Sequence, residues 1–227
     1  MAKDIYFIGG SKGGVGKSTV ALALLDYLIE KGEDVILIES DTSNPDVWKT
    51  YHGSAKSELI NLDEADGWIA FVNICEQHPD CPVVVNSASR NNVAVTTYGA
   101  TLNSSVSELE RKLVTFWVIN RQRDSLELLK EYLETMTATV VHGVRNAHWG
   151  EERKFELYNG SKLKTQIETR GGKSLTFPDL ADRVADDLNR TRMSIAVGLK
   201  ELPLGNRAEL SRWRVEVAKL FSGVVPA

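Results

Sequence analysis

The chain has 227 residues, of which 42% are hydrophobic and 26% are charged, an ordinary globular balance that argues against a disordered protein. Its apolar runs are too short for a transmembrane helix, and its first residues lack the long apolar core of a signal peptide. Two cysteines, Cys75 and Cys81, form neither a disulfide framework nor a zinc set, which favours a cytoplasmic protein with reduced thiols.

The net charge of −4 is unevenly distributed along the chain. Residues 1–110 contain 7 Lys and Arg against 16 Asp and Glu, whereas residues 111–227 contain 20 against 15. A basic second half is compatible with non-specific binding to DNA or to an acidic partner. The alternative is a set of solvated helix faces of mixed charge, which the absence of any Lys/Arg run longer than two residues favours.

Short apolar runs alternate with amphipathic stretches from the first residues onward. Strands are predicted at residues 5–8, 35–38, 82–85, 113–119, 138–143 and 173–177. Helices are predicted at residues 17–31, 63–77, 91–111, 124–136, 150–170 with a break at Asn159-Gly160, 179–191, 193–200 and 206–222. The intervening stretch around Asn44-Pro45 is predicted to be a loop.

This alternation predicts an α/β fold with βαβ units, in which a doubly wound, mostly parallel sheet carries helices on both faces. We expect a single domain over residues 1–227, with the C-terminal helices of about 179–222 packed on it. Ligands of such sheets bind at the carboxyl ends of the strands. The loops after residues 8, 38, 86, 119 and 144 are therefore the places to look for chemistry.

A glycine-rich segment, SKGGVGKST at residues 11–19, lies between the first strand and the first helix. Glycines let successive backbone N–H groups point at phosphate oxygens, and the helix start adds the positive end of its dipole. Lys17 would reach the β- and γ-phosphates, and the Ser18 hydroxyl would bind Mg²⁺. The strict P-loop pattern fails only at its first position, where Ser11 stands. The alternative is a purely structural strand-to-helix turn.

Residues 12–19 resemble the deviant Walker A motif of the ParA/MinD ATPases, which are P-loop NTPases of the SIMIBI class. The resemblance implies ATP and Mg²⁺ as cofactors and slow ATP hydrolysis that a partner protein stimulates. It also implies a homodimer that forms on ATP, in which Lys12 reaches the nucleotide of the other subunit. The residues that it assigns to the nucleotide are Lys12, Gly13, Gly14, Val15, Gly16, Lys17, Ser18 and Thr19.

The loop after the second strand reads Glu39-Ser40-Asp41, where the family has D-x-D. The resemblance makes Asp41 the group that orients the attacking water, with a further role beside Mg²⁺. Together with Lys12 and Lys17, Asp41 completes the predicted catalytic set. The alternative for Asp41 is a turn or helix-capping role. Glu39 keeps the charge of the first family Asp on a longer side chain.

The third predicted strand ends at Asn86, where the family has a Walker B Asp. An amide carbonyl can hold a magnesium-bound water but carries no charge, so Asn86 predicts weaker Mg²⁺ binding and slower hydrolysis. The alternative is a simple turn residue. The later strand that ends near Asn146 resembles the family segment whose Asn contacts adenine, and an amide can both donate and accept there. Asn146 has the same alternative, a turn position at a strand end.

The resemblance weakens beyond residue 146, and it leaves several functions open. We expect a switch ATPase of the small ParA type that acts in DNA or plasmid partition, mobilisation or cargo positioning. One alternative is a nucleotide-gated binding module with little turnover, and another is a metabolic P-loop enzyme. A MinD-like membrane role would use the last helix, but the apolar residues Trp213, Val217, Leu220 and Phe221 favour packing against the core.

Overall fold

The computed structural model describes residues 2–10, 13–89 and 92–226, apart from the side chain of Asn92. In these residues the core is one seven-stranded parallel sheet with the strand order β3-β2-β4-β1-β5-β6-β7. The strands are β1 (Ile5–Gly10), β2 (Ile36–Glu39), β3 (Lys56–Leu59), β4 (Val83–Asn86), β5 (Leu113–Ile119), β6 (Thr139–Asn146) and β7 (Ser174–Phe177). The predicted doubly wound α/β fold is confirmed.

Helices cover both faces of the sheet. They are α1 (Lys17–Glu30), α2 (Asp46–Tyr51), α3 (Ala65–Gln77), α4 (Asn92–Ser105), α5 (Arg123–Thr135), α6 (Glu156–Asn159), α7 (Lys162–Thr169), α8 (Asp182–Thr191), α9 (Ile195–Glu201) and α10 (Leu204–Ser222). One apolar core lies between the sheet and α1, α2, α8, α9 and α10, and the other lies under α3 to α7. Among the described helices, none has the length and apolar content that a bilayer crossing requires.

The predicted loop between β2 and the next helix is wrong in two places, because it contains α2 and β3. The sequence of β3 is Lys-Ser-Glu-Leu, which has neither an apolar run nor a clean alternation. It forms a strand because its backbone pairs with β2 at the edge of the sheet, where charged side chains are common. The six residues of α2 are too few to show a helical period, although Val47 and Tyr51 are buried.

Several predicted boundaries also need correction. The predicted helix at 91–111 ends at Ser105, and Glu110 has a positive φ of 52° that no helix interior allows. The helix predicted at 150–170 is instead one short helical turn, Glu152–Lys154, followed by α6 and α7. Strand β1 continues through Gly10, and β6 continues through Asn146. These two extensions bring their final residues into the edge of the sheet that carries the glycine-rich segment.

The last helix packs against the body of the protein, as its apolar stripe predicted. Trp213, Val217 and Phe221 are buried, and the Trp213 indole N–H donates to the Pro178 carbonyl at 2.9 Å. The next residue, Arg214, donates to the buried carboxylate of Asp26 on α1 at 2.6 Å. The apolar stripe of α10 is therefore occupied by the core.

Candidate functional site

The glycine-rich segment folds as a tight loop that joins β1 to α1. Gly14 and Gly16 have φ values of 80° and 103°, a backbone region that favours glycine. Gly16 precedes the first residue of α1 and has no side chain to cap that helix, and the N-terminal end of a helix favours a bound anion. Ser11 and Lys12 lie outside the described residues, so the predicted role of Lys12 stays a prediction.

Lys17 is the first residue of α1 and is only 7% exposed. Its aliphatic stem passes Gly10, where a Cβ would lie 3.1 Å from the Lys17 Cγ. Burial lowers the pKa of Lys17 to about 8, and the nearby Asp41 carboxylate opposes that shift. A buried ammonium group interacts more strongly with a phosphate than an exposed one does, because less water screens the charge. Ser18 and Thr19, in the same turn, are exposed.

Asp41 follows β2 and lies in a turn. Its Oδ1 accepts hydrogen bonds from the Ser43 hydroxyl at 2.9 Å and from the Asn44 backbone N–H at 3.1 Å. Its own N–H donates to the Glu39 carboxylate at 3.0 Å. One carboxylate oxygen therefore has the turn role that the sequence left open. The Asp41 carboxylate also interacts electrostatically with Lys17.

Glu39 and Asn86 form a buried pair that the sequence analysis did not anticipate. They are register partners at the ends of β2 and β4, and they are 0% and 3% exposed. The Asn86 amide nitrogen donates to both carboxylate oxygens of Glu39, at 3.0 and 3.1 Å. The Asn86 carbonyl oxygen is buried without a hydrogen-bond partner among the described residues. Burial raises the pKa of Glu39 to about 7, although the N–H groups of Asp41 and Asn86 oppose the shift.

A second missed residue, Ser40, joins the loops after β2 and β4. Its hydroxyl oxygen accepts a hydrogen bond from the Ala88 backbone N–H at 2.8 Å. The loop after β4 also approaches the phosphate loop, because a Cβ on Gly13 would lie 3.8 Å from the Ser89 hydroxyl oxygen. The D-x-D position and the parallel order of the strands were the available signals for this contact, but they do not specify a hydrogen bond.

Asn146, the last residue of β6, contacts the phosphate loop. Its amide nitrogen donates to the Val15 carbonyl at 2.9 Å, and its carbonyl oxygen accepts from the His148 N–H at 3.1 Å. A Cβ on Gly16 would collide with the Asn146 amide. Asn146 therefore braces the loop and caps the turn that follows it. The predicted adenine contact stays a prediction that is distinct from this observed role.

The donor set at this edge of the sheet fits Mg²⁺. Its predicted ligands are the Ser18 hydroxyl, the Asp41 carboxylate and the Asn86 carbonyl, all oxygens, and the Asn86 oxygen is a buried acceptor still without a partner. Within the described ranges no group of three or more His, Cys, Asp and Glu could hold a metal ion. A few oxygen donors without a closed protein cage suit Mg²⁺, which keeps several waters and binds through substrate phosphates.

Comparisons with known proteins agree with this geometry. Residues 6–147 match the family described as the CobQ/CobB/MinD/ParA nucleotide binding domain. Over 225 residues, 99% of both chains, the sequence is 68% identical to Protein MobD of Acidithiobacillus ferrooxidans.

Two solved structures with low sequence identity share the fold. One is a putative plasmid partition protein from Borrelia burgdorferi bound to AMPPNP, with a TM-score of 0.58, 15% identity, and coverage of 96% of this chain and 98% of that one. The other is the septum site-determining protein MinD of Pyrococcus horikoshii with Mg-ADP, with a TM-score of 0.56, 14% identity, and coverage of 99% of both chains.

Proposed function

Because the chain belongs to the CobQ/CobB/MinD/ParA nucleotide-binding family, we propose that it is a switch ATPase that binds ATP with Mg²⁺, dimerises on ATP and hydrolyses it slowly. The observation that carries this proposal is the buried Lys17 at the start of α1, behind a loop with two left-handed glycines. This combination presents backbone N–H groups, a helix dipole and one desolvated positive charge to a polyphosphate.

Each residue of the site has a role in this proposal. Backbone N–H groups of Gly13–Gly16 would cradle the phosphates, and Lys17 would contact the β- and γ-phosphates. Ser18, Asp41 and Asn86 would hold Mg²⁺ directly or through water, and the ion would neutralise charge that develops on the phosphates. The AMPPNP and Mg-ADP bound to the two structural neighbours support these cofactors.

Asp41 is our candidate for orienting the water that attacks the γ-phosphate. The Asp41 carboxylate opposes the lowering of the Lys17 pKa, and this electrostatic interaction supports the role. The amide at Asn86 withholds the negative charge that a carboxylate would add next to the metal, and we therefore expect slow turnover. A partner protein would stimulate it.

The ATP-dependent homodimer is tested most simply by mass. Light scattering with ATP·Mg²⁺, ADP·Mg²⁺ and no nucleotide should show a dimer with ATP alone. Lys12→Ala should remove that dimer, because the family resemblance places Lys12 at the nucleotide of the other subunit, whereas Lys31→Ala should not. A mass that is indifferent to both nucleotide and Lys12 would overturn the switch mechanism.

We further propose that the dimer acts in DNA mobilisation, partition or cargo positioning, and the high identity to the protein named MobD favours mobilisation. Many basic side chains of the second half are paired with carboxylates, including Arg145 with Glu152 and Arg212 with Glu209 and Glu216. This pairing reduces the basic surface that DNA could contact.

One basic groove is a candidate DNA contact. It has a volume of about 600 Å³ and is lined by Arg121, Arg153, Lys154, Glu156 and Leu157, of which Arg153 is paired with Glu151. Non-specific DNA binding through such a groove should weaken steeply with salt. Replacing Arg121 and Lys154 with Ala should lower the salt dependence, as measured by fluorescence anisotropy of a labelled duplex with ATP·Mg²⁺ present.

A second candidate function is a nucleotide-gated binding module with little turnover, which Asn86 in place of a carboxylate favours. Phosphate release measured on wild type and Asp41→Ala separates the two. Turnover that disappears in Asp41→Ala but persists in Asp66→Ala, an exposed carboxylate on α3, supports the ATPase. Phosphate release from all three proteins that is no higher than without protein favours the binding module.

A further inference from the structure

The Glu39–Asn86 contact fixes the direction of an amide. A carboxylate only accepts hydrogen bonds, so the two contacts at 3.0 and 3.1 Å require the Asn86 nitrogen to face Glu39. If the amide turned over, its oxygen would face two carboxylate oxygens and its nitrogen would lose both acceptors. Glu39 therefore holds the Asn86 carbonyl on the opposite side.

The Asn86 carbonyl oxygen accepts no hydrogen bond from any described residue. Asn86 is only 3% exposed, and its side-chain oxygen has no hydrogen-bond partner among residues 2–10, 13–89 and 92–226. Buried polar atoms are satisfied in most native structures, and each exception calls for an explanation such as a ligand. The atom lies at the end of β4. That strand pairs with β1, and β1 leads directly into the phosphate loop.

We propose that Glu39 is a positioning residue, which holds the Asn86 carbonyl oxygen towards the magnesium-bound nucleotide. In its ionised form it also supplies, one hydrogen bond behind Asn86, the negative charge that Asn86 lacks. The proposal deepens the proposed function and rests on it. A carboxylate behind a neutral ligand orients that ligand and raises its basicity, an arrangement common at metal sites.

Glu39 and Asn86 together carry one carboxylate, where the D-x-D and Walker B patterns would place two. Two carboxylates at hydrogen-bonding distance repel one another when both are ionised. One carboxylate and one amide give a pair with a single charge and two satisfied N–H groups. Exchanging the two groups keeps one carboxylate and one amide, whereas Glu39→Gln alone removes the charge and Asn86→Asp alone places two carboxylates together.

Titration calorimetry with ATPγS on the full chain tests the proposal. Each protein is titrated once with Mg²⁺ and once in EDTA, and the ratio of the two affinities gives the gain due to the metal. We expect Glu39→Gln to lower this gain about tenfold, the usual lower range for groups behind a metal ligand, and to leave the affinity in EDTA unchanged. Glu58→Gln, which removes the same charge from the neighbouring β3, is the control and should match wild type.

A charge-exchange variant tests the coupling and guards against a misfolded single variant. Asn86→Asp places two carboxylates together, and the double variant Glu39→Gln/Asn86→Asp restores one carboxylate and one amide. We expect the Mg²⁺ gain of the double variant to be about ten times that of Glu39→Gln alone. The proposal would be overturned if the Mg²⁺ gain of the double variant were no larger than the gain expected from adding the effects of the two single substitutions.

The other outcomes are equally decisive. If wild type binds ATPγS and Glu39→Gln keeps the full Mg²⁺ gain, Glu39 has no positioning role while the proposed function stands. If Glu39→Gln loses affinity equally with Mg²⁺ and in EDTA, its role is general structural support and the proposal is wrong. If wild type binds no ATPγS under either condition, both this proposal and the nucleotide-binding function fail.

Discussion

Strands β4 and β6 each end in a buried asparagine at the same edge of the sheet, and the two amides are used in opposite ways. Asn146, at the end of β6, donates to the Val15 carbonyl and accepts from the His148 N–H. Asn86, at the end of β4, donates twice to Glu39, and its carbonyl oxygen is buried without a partner among the described residues.

This difference indicates that Asn146 has a structural role and that Asn86 belongs to a binding site. The Asn146 amide is satisfied on both sides by backbone groups, so it stabilises the phosphate loop in the absence of any ligand. The Asn86 amide is satisfied only on the side of Glu39, so its remaining hydrogen bond awaits a group from outside the described chain. Variants at the two ends should therefore affect different quantities, namely the free energy of unfolding for β6 and metal-dependent nucleotide binding for β4.

The largest effect on stability is expected from Gly16→Ala, which disrupts the contact between the phosphate loop and the end of β6. The new Cβ would meet the Asn146 amide, and the backbone φ of 103° is strained for any residue with a side chain. We expect a loss of about 3 kcal/mol in the free energy of unfolding, measured by urea denaturation. Gly53→Ala, at a position with open space and an ordinary φ, should be neutral; equal stabilities would contradict the close contact.

Low pH should reduce the free energy of unfolding through His142, a buried residue of β6. Burial lowers the pKa of His142 to about 4, and its Nδ1 accepts from the Lys173 N–H. Because the folded pKa lies below the unfolded value of about 6.5, the stabilisation is complete above pH 6.5 and is lost as the pH falls towards 4, by about 3 kcal/mol. His142→Asn keeps an acceptor without the titration. The difference in unfolding free energy between the two proteins should therefore change across this window, and a constant difference would refute the assignment.

The brace itself is tested by Asn146→Ala. Removing the amide leaves the Val15 carbonyl and the His148 N–H without their partner, and we expect a loss of about 2 kcal/mol in unfolding free energy without ligand. The ratio of ATPγS affinities with and without Mg²⁺ should stay at its wild-type value. Asn189→Ala, at an exposed position on α8, is the control. A normal stability combined with a reduced Mg²⁺ gain would reverse the comparison.

The smallest effect on stability is expected from Asn86→Ala. The change removes the two hydrogen bonds to Glu39 together with the unsatisfied carbonyl. The Glu39 carboxylate keeps the backbone N–H donors of Asp41 and Trp48, so we expect a loss of only about 1 kcal/mol in the free energy of unfolding. The Mg²⁺ gain in ATPγS affinity should nevertheless fall about tenfold. If Asn86→Ala unfolds as easily as Asn146→Ala and keeps its Mg²⁺ gain, the two strand ends do not differ in the way described.

Most of the sheet could be predicted from the sequence because its strands are apolar runs next to helices with clear periodicity. Strand β3 could not, since Lys56–Leu59 is polar and its strand geometry comes from backbone pairing with β2. Helix α2 could not either, because six residues are shorter than two helical turns. Tertiary contacts, which a local pattern does not contain, determine both elements.

The site shows the same division. The phosphate loop is local in sequence, so its glycines, Lys17 and the following helix were visible without the structure. The Glu39–Asn86 contact joins residues 47 positions apart, and it depends on the register of β2 against β4. The Asn146 brace depends on β6 running three residues beyond its predicted end at residue 143.

The central claim is that the loop before α1 binds the phosphates of a nucleotide through the buried Lys17. Titration calorimetry of ATPγS·Mg²⁺ into wild type, Lys17→Ala and the exposed control Lys31→Ala tests it most directly. We predict binding to wild type and Lys31→Ala, and an affinity about 100-fold weaker for Lys17→Ala, since a charge-assisted contact of about 3 kcal/mol is lost. Equal affinity for all three proteins, or no binding to wild type, would contradict the claim.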